Sequence, residues 1–373
     1  MRALERHEQA ATLARWLGPW AAPERAPSHV ACERLELDTT SGTVALSRYE
    51  PLLREATGVY VVVQGLHYQG PADPRLDRFC RVLAASGLVV FAPFVRPYLE
   101  LRLAPEAHLD VARAVGHAAA YAREHDLPRP ALFTISFGAP LGARVAASPE
   151  HADELGALVL FGGFAEFETT LRFVLSGRAF DGDRELRLTH DPLNAPAAFV
   201  NLVPHLRRAR PHEPVCRAWL EMARRTWGRP ELRAARRREP LADVLAGTLD
   251  AEDRALFRVG CGLAPGGPEL LEAALANAGD HFAFADPRVH LPRVKCPVLV
   301  THGRDDDVIP YPQAHELARH LRPRHPHKLA LTGLFGHTGS TLPSPRALLS
   351  ELGTMAELLY ALVDAAHERL ATG

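Results

Sequence analysis

The sequence predicts an α/β fold, a three-layer α/β/α arrangement around a mostly parallel, doubly wound sheet, with a helical insertion. Three observations predict it. Apolar runs rich in β-branched residues recur at GVYVVVQ (58–64), LVVFAPF (88–94), ALFTI (131–135), ALVLFGG (157–163) and CPVLVTHG (296–303), as strands buried on both faces should read. Segments with helical spacing separate most of them, and such alternation implies parallel strands joined by right-handed crossovers. The alternation stops from 164 to 291, a stretch rich in Arg and Pro, and then resumes.

In chain order, residues 1–30 are expected to open with a helix, since MRALERHEQAATLARW mixes charge into every turn. ERLELDT and VALSRY around SGT read as a β-hairpin entering the sheet. Residues 73–86 have helical spacing and Gly87 closes that helix. Residues 104–125 form a second helix, with Leu109, Ala112, Val115 and Ala119 expected on one side, and Pro128 and Pro130 end it. A helix follows Gly138, another lies near 311–321, KLALTG (328–333) is the last strand, and 345–370 is the final helix. The core therefore comprises 31–163 and 292–373, and 164–291 is a helical cap with pieces such as EFETTLRFVLSG and VCRAWLEMARRTW. Its basic runs LRRAR (206–210) and AARRRE (234–239) read as solvated helix faces in preference to an anion-binding surface.

Composition narrows the function. A chain of 373 residues with 47% hydrophobic residues can bury a large core, and a formal net charge of -1 steers it toward neither nucleic acid nor an anionic membrane. The expected partner is a small molecule, and a homo-oligomer is compatible with this composition. Cys32, Cys80, Cys216, Cys261 and Cys296 are odd in number and contain no C-x-x-C pair, which suits a reducing cytoplasm and offers no zinc site. The N-terminus lacks the apolar core of a signal peptide, and no window reaches the roughly 18 apolar residues of a membrane span.

The chemistry centres on ALFTISFGAPLGARVAA, which places Ser136 between a buried strand and a helix, followed by Gly138, Ala139 and Gly142. A serine on such a turn is held in strained backbone with its hydroxyl projecting above the sheet, and the Phe137 N–H points toward a developing oxyanion. The T-I-S-F-G of 134–138 resembles the G-x-S-x-G nucleophile elbow of the α/β-hydrolase family, with Thr134 replacing the first glycine.

VTHGRDDDVIP (300–310) resembles that family's segment after the seventh strand, where a carboxylate lies three residues beyond a glycine; counting from Gly303 selects Asp306 as the acid. Asp305, Asp307 and Glu166, just after the fourth buried strand, are its rivals. His337 in TGLFGHTGS follows the last strand and is the candidate base, completing the chain order Ser…Asp…His. The resemblance, which covers about 30–163 and 292–370, takes its second oxyanion donor from the loop after GVYVVVQ. It implies the Leu66 N–H there, with His67 and Tyr68 lining the substrate pocket and Gln64 standing where the family usually has histidine.

Other signals carry less. In HELARH the histidines are i and i+5, too far around a helix to share a metal. GLHYQG (65–70) is followed by Pro71 rather than the Lys of a P-loop, and GCGLAPGG (260–267) opens no βαβ unit and reads as a turn. Phe164, Phe167, Phe173, Phe199, Trp219 and Trp227 either line a cleft or form the cap's own core. The expectation is a cofactor-free serine hydrolase acting on an ester, thioester or related acyl group. A C–C bond hydrolase, an acyltransferase and a non-catalytic binding protein on the same fold are the alternatives.

Overall fold

A computed structural model of the chain describes residues 3–18, 21–39, 42–209, 211–321, 325–333 and 345–370, the first six of the last span by backbone alone. Helix α1 (Ala3–Leu17) precedes the hairpin β1 (Val30–Thr39) and β2 (Gly42–Pro51). Then come β3 (Gly58–Val63), α2 (Pro74–Ala85), β4 (Leu88–Pro93), the short α3 (Arg96–Leu99), α4 (Ala107–Glu124), β5 (Ala131–Ile135), α5 (Ala139–Ala146) and β6 (Ala157–Phe161). The chain next leaves the sheet for α6 (Phe167–Ser176), β7 (Arg178–Asp181), β8 (Arg184–Arg187), α7 (Ala195–Leu202), α8 (Glu213–Thr226), α9 (Ala235–Ala246), α10 (Ala251–Gly260) and α11 (Gly267–Ala278). It returns as β9 (Val298–Gly303), α12 (Pro312–Leu321), β10 (His327–Thr332) and α13 (Pro345–Ala365).

Eight strands form the main sheet in the order β1-β2-β4-β3-β5-β6-β9-β10. β1 and β2 pair antiparallel, β2 meets β4 antiparallel, and every other neighbour is parallel. Every residue of β3, β4 and β9 is buried, which explains their unbroken apolar runs. Alternate residues face opposite layers. Tyr60, Val62, Val90, Phe133 and Val159 pack with α1, α2 and α13. Val59, Val61, Phe91, Leu132, Leu158 and Val300 pack with α4, α5 and α12. The first layer is pinned by Arg6 donating to both carboxylate oxygens of Asp364 at 2.6 Å, and by the Tyr60 hydroxyl donating to the Leu362 carbonyl at 2.7 Å.

The Gly87 stop acts as read, and the start of the helix carries a cap that the spacing did not reveal. Asp73 caps α2 by accepting from the Arg75 and Leu76 amides, and Gly87 after that helix adopts φ +103°.

Three expectations need correcting. The buried side of α4 is Ala107, Asp110, Val111, Ala114, Val115, Ala118, Ala119 and Ala122, and Leu109 is 47% exposed. A stripe of alanines brings the helix close to the sheet, and Asp110 is retained there because the Arg96 guanidinium donates to it at 2.9 Å. The insert is not wholly helical. β7 and β8 form an antiparallel hairpin turning through Gly182-Asp183, with Gly182 at φ +59°, a Gly-first two-residue turn. The basic runs are not simply solvated either. Arg238 is 4% exposed and donates to the carbonyls of Arg233, Cys261 and Gly262, two of which follow the end of α10 and lack helical partners. Arg208 is paired with the equally buried Asp253. Part of the insert's interior is thus filled with guanidinium groups: that of Arg238 donates to three carbonyls, whereas Arg208 pairs with Asp253 and leaves its Nη1 buried without a hydrogen-bond partner among the described residues.

The aromatic residues divide. Phe164, Phe173, Phe199 and Trp219 are fully buried core, with Trp219 wedged over Gly260, where a Cβ would come within 2.5 Å of its ring. Trp227 instead reaches the cavity described below.

Candidate active site

The carboxyl ends of β3, β5, β6 and β9 share one edge of the sheet, where loops of open α/β folds gather functional groups. Ser136 follows β5, between β3 and β6 in the strand order. Its φ is +53°, in the left-handed region that costs a non-glycine residue about 1–3 kcal/mol. The neighbourhood holds it there. The Tyr98 hydroxyl, fully buried, donates to the Phe137 carbonyl at 2.7 Å, and burial pushes its phenol far above the ordinary range. A Cβ on Gly138 would lie 2.9 Å from the Gln64 carbonyl oxygen, so the absence of a side chain lets the turn press against the β3 loop.

Thr134, the departure from the elbow pattern, is accommodated by a second glycine. A Cβ on Gly142 of α5 would sit 2.2 Å from Thr134 Cγ2; the threonine methyl occupies the space that a side chain at 142 would need. The Thr134 hydroxyl, in a fully buried residue, donates to the Val159 carbonyl of β6 at 3.2 Å. Its polar group is therefore satisfied.

The loop after β3 lies directly over the serine. A Cβ on Gly65 would be 3.2 Å from Ser136 Cβ and 3.7 Å from its Oγ. Next to it, the Leu66 N–H donates to no backbone carbonyl among the described residues. Leu66, Ser136 and Phe137 line one cavity of about 60 Å³. Gln64 is 1% exposed, and its amide nitrogen reaches the His67 carbonyl at 3.4 Å. His67 and Tyr68 stack on each other at 4.7 Å and meet Trp227 of the insert at 5.4 and 6.1 Å. Tyr68 also donates to the Arg224 carbonyl of α8. Desolvation lowers the His67 pKa against the opposing pull of Asp73, so the ring is neutral near pH 7. These two residues join loop to insert and do not line the cavity with Ser136.

After β9, the three aspartates part company. Asp306 Oδ1 accepts from the Val308 and Ile309 amides, both at 2.9 Å, closing an Asx-type turn. Its Oδ2 lies toward Gly162 at the end of β6, where a Cβ would come within 3.4 Å, and Gly162 has φ +58°. Asp307 is 2% exposed and accepts from Arg233 of the insert at 2.7 Å, and the same guanidinium nitrogen is 3.0 Å from Asp191. Glu166 accepts from Thr169 at 2.7 Å and from Arg288, which occupies both of its oxygens. Asp305 is half-buried. His337 lies outside the described residues, but the strand that leads to it is held, because Glu351 of α13 accepts from the Gly333 amide at 2.8 Å.

Sequence reasoning missed several contributors. His302, fully buried in β9, donates from Nε2 to the Ile309 carbonyl at 2.8 Å and so braces the Asp306 loop. Asn194, Asn201, Leu103, Leu171, Val174, Ala197, Ala198 and Val308 complete the cavity wall with Trp227. Only the run of small residues in α7 hinted at a close approach. Among the described residues, no group of three or more His, Cys, Asp or Glu could hold a metal ion, and no helix is long and apolar enough to cross a membrane.

No protein-family model matches the sequence, and no curated protein sequence aligns with it significantly. Solved structures do resemble the fold. The chain superposes on brefeldin A esterase, a bacterial homologue of human hormone-sensitive lipase, with a TM-score of 0.50 and 13% identity, covering 98% of this chain and 86% of that one. It also superposes on an acylaminoacyl peptidase in complex with Z-Gly-Gly-Phe-chloromethyl ketone, with a TM-score of 0.50 and 13% identity, covering 93% of this chain but 43% of the other. At such identities the likeness speaks to the fold.

Proposed function

The chain has the α/β-hydrolase fold, and from that premise we propose that it is a serine hydrolase cleaving an ester, thioester or related acyl bond. The observation that carries the reading is Ser136 at φ +53°, opening into a cavity with Gly65 packed against it. Strain of this kind persists where the surroundings over-determine it, which is characteristic of functional sites. Fold alone would not license an activity; this constellation supports one.

In the proposed mechanism His337 takes the proton from Ser136 Oγ as the oxygen bonds to the acyl carbon, and the Leu66 and Phe137 amides receive the negative charge on the carbonyl oxygen. Collapse of the tetrahedral intermediate breaks the bond to the leaving group, which receives the proton from His337. Water, deprotonated by His337, then releases the acid and regenerates the serine. Asp306 orients the imidazole and stabilises its cation; its Oδ1 is committed to the turn, which leaves Oδ2 for this role. No cofactor is required. The insert acts as a cap that closes over the serine and limits water.

Hydrolysis of p-nitrophenyl acetate tests the reading. Ser136→Ala is expected to lower kcat by about 10⁶-fold, or to the uncatalysed background. Activity retained by that variant would show that another group does the chemistry.

A further inference from the structure

The cavity beside Ser136 is small, mostly apolar and walled in good part by the insert, and on the serine-hydrolase reading it has the dimensions of an acyl site. We propose that it selects short, uncharged acyl groups, with no more than about three carbons beyond the carbonyl, and that Leu171 of α6 and Ala198 of α7 set this limit. An apolar cavity of about 150 Å³ holds a benzene ring, or roughly 25 Å³ per carbon. At about 60 Å³, the present cavity holds two to three carbons.

Its chemistry points the same way. No charged side chain lines it among the described residues, so a terminal carboxylate or ammonium would be buried without a partner. The two lining asparagines are largely spent on the fold. Asn201 accepts from the Leu103 amide at 2.7 Å and donates to the Leu101 and Ala197 carbonyls at 2.8 and 3.0 Å. Asn194 donates to the Asp191 carbonyl at 3.2 Å. The Asn201 clamp also holds Leu101, a non-glycine residue at φ +54°, so the wall it belongs to is braced. Leu171 and Ala198 are 3% and 8% exposed and both line the cavity, so a change in the size of either side chain changes the space available to the acyl group.

The test is kcat/KM for two series of esters, one varying the acyl chain from acetyl to octanoyl on p-nitrophenol, the other varying the alcohol of acetate esters. The acyl series is expected to fall about tenfold or more per methylene beyond butyryl, since one methylene too many in an apolar pocket costs at least that, and the succinyl monoester to be poorer than butyryl by a similar factor. Leu171→Ala should raise hexanoyl relative to butyryl by tenfold or more. Ala198→Val should lower butyryl relative to acetyl, and both variants should still react with a fluorophosphonate, which reports a folded site. A flat acyl series, a cutoff that appears in the alcohol series instead, or efficient succinyl cleavage would overturn the assignment while Ser136 remained reactive. If Ser136 neither reacts with the fluorophosphonate nor turns over any ester, the hydrolase reading fails and the acyl site falls with it.

Discussion

Asp305, Asp306 and Asp307 are consecutive in sequence, yet the fold gives them different work. Glycine counting singled out Asp306, and what distinguishes it in space is an oxygen turned toward the end of β6 while the other closes a turn. The commitment of Asp307 to Arg233 was illegible in sequence because the partner is 74 residues away on the insert. Substitution separates the three. Asp306→Asn keeps Oδ1 as acceptor for both amides and removes the charge that the proposed mechanism uses to orient the base, so it should lower kcat by about 10⁴-fold with little change in Tm, as an equivalent change does in a serine-protease triad. Asp307→Asn weakens a buried ion pair in which Arg233 keeps Asp191, and should cost about 1–3 kcal/mol of stability, less than full loss of a buried partner, with kcat changed less than tenfold. Asp305→Asn should do little to either. Steady-state kinetics and thermal melts on the three variants check this, and a mild Asp306→Asn would remove it from the mechanism.

At the scale of elements, the strands were legible because burial on both faces leaves no polar alternation to confuse the reading, as in β3 and β4. The β7–β8 hairpin escaped because only the Asp-Gly-Asp at its turn marks it, within strands of four residues each. The face of α4 was misjudged because alanine carries little weight in an apolar pattern, although close packing favours it. The junction of β5 and α5 shows what pattern reading can miss even at a recognised motif, namely that Thr134 and Gly142 are one unit. Gly142→Ala forces a methyl against Thr134 Cγ2 and should cost about 1–3 kcal/mol, as overpacking does. Thr134→Ala removes that methyl, so the double variant should recover most of the loss, and a double-mutant cycle from denaturant titrations measures the coupling. Additive effects would mean that the two residues do not compete for the same space.

Across the whole molecule, a sheet with helices on both faces brings loops that are far apart in sequence to one edge, and the insert roofs the serine with Trp227, α6 and α7. Loop context made the grouping of Ser136 with Leu66 and Phe137 around one cavity readable from sequence, whereas the cavity's other walls come from residues whose only signal is their size. The proposed hydrolase requires Ser136 to be an activated nucleophile. Treating the intact protein with a fluorophosphonate and mapping the adduct by peptide mass spectrometry tests it most directly. A single adduct on Ser136, absent from Ser136→Ala, is the result expected; an unlabelled wild-type protein across pH 7 to 9, or an adduct on another serine, would contradict it.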